Sequence, residues 1–128
     1  MCLDSGGLDI KGAEGIPGFM APDGNLKNNG TDFVATYTQF IAGFPWHVRQ
    51  HNMNPLDTND IPRFKSFTIP GAQTVGAVAQ FTFPGIPVIW QGDEFGLDSF
   101  NGENSRTPMP WNGERKHDKS MVEIYSHL

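Results

Sequence analysis

The segment NPLDTNDIPRF, positions 54–64, sets Asp57, Asp60 and Arg63 around a short apolar hinge. A second acidic pair, Asp93 and Glu94, follows the apolar run IPVIW at 86–90. Carboxylates so placed can act as nucleophile, as general acid, or as fixed charge opposite a developing cation. The same residue types also make turns and cap helices, so position alone leaves their roles open. Other groups offer less. His47, His51, His117 and His127 lack metal-site spacing. DSFNGEN, 98–104, resembles a calcium loop but has Phe100 where an oxygen ligand is needed. The Gly-rich stretch 5–18 has no preceding strand and no phosphate-loop lysine. No metal and no cofactor are therefore expected. Trp46, Trp90 and Trp111 suit stacking on sugar faces, or burial in a core.

The elements that must carry these groups follow from periodicity. Residues 1–30 are rich in Gly and Pro without period, and read as loop. TDFVATYTQFIAGF, 31–44, puts Phe33, Tyr37, Phe40, Ile41 and Phe44 on one helical face. Residues 52–57 read as a strand leading into the acidic motif. A helix then starts near Pro70, carries Val75, Val78, Ala79 and Phe81, and is broken by FPGIP at 83–87. IPVIW reads as a strand covered on both faces. Residues 92–113 read as a long polar loop of the kind that carries function. Asp118 can cap a last helix bearing Met121, Val122, Tyr125 and Leu128. That helix is still amphipathic where the sequence stops, so the expectation is a truncation. Alternating helices and apolar strands point to parallel β/α units, whose active sites form at the C-terminal ends of the strands.

Composition narrows the partners. The chain has 128 residues, 38% hydrophobic and 12% aromatic, which fits one globular domain or a piece of one. The net charge of −5, with scattered Lys and Arg, argues against nucleic acid or an anionic membrane as partner. Cys2 alone cannot form an internal disulfide. MCLDSGGLDIKG lacks the layout of a signal peptide, so a cytoplasmic location is expected, with secretion left open.

Three motifs, in order, make residues 31–128 resemble the catalytic domain of the α-amylase family of glycoside hydrolases, in particular its α-glucosidase and neopullulanase-like members. LDTNDIPRF resembles the family's strand-seven segment, PGIPVIWQGDEFGL its strand eight, and NSRTPMPW the loop that follows. KSMVEIYSHL resembles the start of the eighth helix. The resemblance implies an α/β fold: the last β/α units of a (β/α)8 TIM barrel, strands seven and eight with flanking helices, over 31–128. It implies that Asp60 is the family's third catalytic carboxylate, which stabilises an oxocarbenium-like transition state. It makes Asn59, Arg63, Arg106 and Trp111 substrate-binding residues, with Arg63 also holding the carboxylate network, Asp57 structural and the Asp93–Glu94 pair supporting the cleft floor. The implied substrate is an α-glucan or maltooligosaccharide.

Two departures accompany the match. The family has His where this chain has Asn59. An Asn still donates a hydrogen bond but carries no positive charge. The family's retaining mechanism also needs an Asp nucleophile and a Glu acid/base from earlier strands, and nothing in 1–50 resembles them. The expectation is an isolated chain weakly active or inactive, with self-association or a complementary half completing it. The alternative is a non-catalytic carbohydrate-binding or structural piece of such a barrel.

Overall fold

The computed structural model describes residues 30–128, apart from Phe100 and the side chain of Phe67. The reading of 1–30 as loop therefore lies outside the described residues, except for Gly30, which opens the first helix.

The aromatic stripe makes that helix. α1 spans Gly30–Ala42. Phe33 and Tyr37 stack on Phe83, with ring centroids 5.8 and 4.1 Å away. The helix stops at Ala42 rather than Phe44 because Gly43 and Pro45 interrupt it. Pro45 then opens a five-residue helix that periodicity over so short a stretch cannot reveal, α2, Trp46–Gln50.

β1, Met53–Pro55, and β2, Ile86–Val88, pair in parallel, with Met53 opposite Ile86 and Pro55 opposite Val88. Both are shorter than the sequence suggested. Pro55 and Pro87 have no N–H to give a ladder, so pairing does not extend. Gly85 makes the close approach between them. Its φ is +138°, and a Cβ there would lie 2.6 Å from the Asn52 carbonyl oxygen.

The crossover between the strands is a 3₁₀ turn, Phe64–Phe67, followed by α3, Ala72–Thr82. α3 packs against that turn, β2 and the last helix, α5, Lys119–His127. Phe64, Ala77, Leu97 and Met121 form the buried apolar centre of this packing. A short α4, Gly102–Ser105, lies in the long segment read as loop, and Asn101 caps it by accepting the Asn104 N–H at 2.8 Å. The expected cap of α5 is present: Asp118 accepts from the N–H groups of Ser120 and Met121. The fold is thus α/β, with two parallel strands joined through a helix. No helix among the described residues is long and apolar enough to cross a membrane.

Candidate functional site

The loop after β1 and the turn after β2 leave the same, C-terminal end of the parallel pair. Each delivers one of the acidic clusters.

The first loop is closed at its base. Asp57 Oδ2 accepts the Phe64 N–H at 2.7 Å, closing a loop in which Asn59 and Asp60 are exposed while Pro62 and Arg63 are buried. At the outer end Asp60 has 66% of its side chain exposed. The Asp60 N–H donates to Thr58 Oγ1 at 3.2 Å, and Asn59 Nδ2 donates to Asp60 Oδ1 at 3.0 Å. Arg106 reaches in from the end of α4. Its Nη2 donates to Asp60 Oδ1 at 3.0 Å and its Nε to the Asn59 carbonyl at 2.9 Å. Its Nη1 pairs with Glu103 at 3.2 Å. Three sequence-predicted residues, Asn59, Asp60 and Arg106, are therefore one exposed cluster.

Arg63 is elsewhere. It is 0% exposed. Its Nη1 donates to Asp93 Oδ1 at 2.9 Å, and its Nη2 to the carbonyls of Gln91 at 2.7 Å and Ser105 at 3.2 Å. Gly92 leaves room for it: φ is +102°, and a Cβ there would meet Arg63 Nη2 at 3.1 Å. The substrate-binding assignment of Arg63 is thereby corrected. A guanidinium enclosed by protein acceptors cannot reach a sugar. What it does is hold Asp93 and the turn after β2.

A chain of hydroxyls joins the buried and exposed clusters. The Arg63 N–H donates to Ser99 Oγ at 2.9 Å, Ser99 and Ser105 hydroxyls lie 2.6 Å apart, and Ser105 Oγ lies 2.8 Å from the Ile61 carbonyl. Ser105 directly precedes Arg106, so this chain sets where the Arg106 side chain starts. Sequence reasoning missed Ser99, Ser105 and also Gln73, whose amide donates to the Asp93 carbonyl at 3.0 Å. Their partners are remote in sequence, and no local pattern marks them.

Trp111 belongs to another group. It is 73% exposed and packs edge-on against Phe95, whose ring also lies 4.3 Å from His117. Glu94 takes the Gly92 N–H at 2.7 Å and shapes the turn.

The buried carboxyls are electrostatically unusual. Burial, reinforced by the neighbouring Asp57 charge, pushes Asp93 up to about 8. Burial also raises Asp57, against the opposing pull of the Phe64 N–H and Arg63. Tyr125 of α5 is raised as well, by burial and then by the charges of Asp93, Asp57 and Glu94. Among the described residues no three His, Cys, Asp or Glu side chains gather as a metal site. Chemically, the exposed cluster offers one carboxylate held by one guanidinium, open to a polyhydroxylated or cationic ligand.

No protein-family model matches the chain. Curated proteins do. Over 87 residues the chain is 33% identical to a cyclomaltodextrinase of a Bacillus species, covering 66% of the chain and 15% of the relative. Over 99 residues it is 29% identical to neopullulanase 2 of Thermoactinomyces vulgaris, covering 75% and 17%. Over 100 residues it is 27% identical to a cyclomaltodextrinase of Geobacillus thermopakistaniensis, covering 77% and 16%. The chain thus spans 15% to 17% of the length of these relatives.

Proposed function

The chain belongs to the α-amylase family of glycoside hydrolases, and on that premise we propose that it supplies the transition-state-stabilising carboxylate, Asp60, to an enzyme that cleaves α-glucosidic bonds in maltodextrin-like oligosaccharides. The observation that carries this is the Asp60–Arg106 pair, 3.0 Å apart and open to solvent at the C-terminal end of β1. In this reading the bond-breaking groups of a retaining mechanism, a nucleophile and an acid/base about 5–5.5 Å apart, come from other strands. Asp60 contributes charge that is favoured more as the sugar becomes cationic than in the ground state. Arg106 orients that carboxylate, and Asn59 offers an amide to a ring hydroxyl.

The architecture proposed is the last two β/α units of a (β/α)8 barrel. Its support is the parallel β1–β2 pair and the apolar surface left beside it. A groove of about 590 Å³ runs along β1, lined by Phe33, Tyr37, Phe40, Phe44 and Met53 among others. Further polypeptide, from a longer chain or from a second copy, would cover it. A non-catalytic carbohydrate-binding role is the second reading, favoured by the exposure of Trp111.

The test is calorimetric titration of the purified chain with maltotriose and with a cationic iminosugar, beside Asp60→Asn. The expected result is iminosugar binding that drops sharply in the variant while maltotriose binding changes less. Equal effects on both ligands would leave Asp60 a plain hydroxyl contact and favour the binding-module reading. Hydrolysis of maltotriose by the chain alone would mean that the other catalytic groups are present within it.

A further inference from the structure

Between the two loops lie Asp57, Arg63 and Asp93, none more than 2% exposed. Two carboxylates against one guanidinium would leave one negative charge without compensation in the interior, which burial strongly disfavours. Each carboxyl has one oxygen engaged, Asp57 Oδ2 by the Phe64 N–H and Asp93 Oδ1 by Arg63 Nη1. The remaining oxygens, Asp57 Oδ1 and Asp93 Oδ2, are buried and have no donor among the described residues. A surplus charge and two orphaned acceptors share one remedy.

We infer that Asp57 and Asp93 hold a single proton between these two oxygens, and that this acid pair is a positioning device tying the Asp60 loop to the turn after β2. The other polar groups nearby do not supply that hydrogen. Tyr125 Oη, facing the pair from α5, has no partner of its own. Glu94 is spent on the Gly92 N–H, and Lys65 on the Gly96 carbonyl and Asp118. A metal cation is the rival occupant, but a third acidic ligand is lacking among the described residues and a guanidinium stands 2.9 Å from Asp93.

The sign of the pH dependence follows. The folded chain keeps a proton that the unfolded chain, with Asp near 3.8, has lost. The pair's contribution to stability is complete below 3.8 and is lost as pH rises to about 8. Above that, two like charges face each other, and the pair no longer contributes to holding the two loops together. The link to sugar binding rests on the reading of Asp60 above, whereas the proton can be tested without it.

The experiment is a ¹³C carboxyl NMR titration of the whole chain, with melting temperatures recorded across the same range, from about pH 5 to about pH 9. One aspartate carboxyl should titrate near the upper end, and the melting temperature should fall across the range. In Asp93→Asn that titration disappears and the melting profile flattens, because the amide donates permanently to Asp57 Oδ1; Asp57→Asn gives the mirror result. Should neither variant fold, the wild-type titration still decides. Two carboxyls fully ionised at neutral pH would overturn the inference, as would a melting temperature raised by added calcium. Asp60→Asn should leave the titration unchanged, which separates failure of this inference from failure of the proposed function.

Discussion

Arg106 donates to the carboxylate of Asp60 across 3.0 Å, joining two loops 46 residues apart in sequence at one end of the parallel pair. Both side chains are substantially exposed, so the contact orients more than it stabilises. Exposed ion pairs contribute about 0.2–1 kcal/mol. Arg106→Ala should therefore leave urea unfolding within about 1 kcal/mol of wild type. It should weaken maltotriose binding about as much as Asp60→Ala does, and the double variant should show little added loss. Additive effects in the double-mutant cycle would show that the two residues act separately.

Arg63 behaves in the opposite way. Removing a buried partner strands its counter-charge, at a cost of about 3–5 kcal/mol. Arg63→Met should unfold at much lower denaturant, with a smaller effect at acidic pH, where Asp57 and Asp93 are protonated. An unfolding midpoint unchanged at neutral pH would mean that Arg63 is not what neutralises the interior.

Ser105→Ala removes the hydroxyl between Ser99 and the Ile61 carbonyl. Leaving buried partners unsatisfied costs about 1–3 kcal/mol. Because Ser105 precedes Arg106, sugar affinity should fall with stability. Ser105→Thr, which keeps the hydroxyl, should recover part of both. Stability loss with wild-type affinity would show that the hydroxyl chain does not set the Arg106 position.

Asp118 caps α5, and its carboxyl is held below the usual range, chiefly by the Ser120 hydroxyl. Asp118→Ala should cost about 1 kcal/mol near neutral pH. A lowered folded-state pKa means the contribution is present above the unfolded value and fades as pH falls through the folded one. The gap between variant and wild type should therefore close in acid. A gap that persists there would assign the loss to backbone propensity.

Gly76 lies beneath the Phe64 ring, and a Cβ there would approach it to 2.8 Å and Leu56 to 3.2 Å. Gly76→Ala should destabilise by about 1–3 kcal/mol despite the better helix propensity of Ala. A gain in thermal stability would show that the Phe64 ring moves aside freely.

Features that depend on near neighbours were legible along the chain. The aromatic spacing of 31–44 made α1, Asp118 capped α5, and Gly and Pro ended the elements between them, because periodicity and capping act within one or two turns. The ordered motifs around Asp60 and Asp93 were enough to indicate the family. Which way each charged side chain faces depends on contacts remote in sequence. Asp57, Asp60 and Arg63 share one short motif, yet Asp57 and Arg63 turn inward and Asp60 outward. Arg63 goes in because its acceptors on Gln91, Asp93 and Ser105, 28 to 42 residues away, enclose it. Asp60 stays out because the Asp57–Phe64 bond closes the loop beneath it. No local pattern holds that information: the energy of a buried charge depends on groups brought together only when the two strands pair.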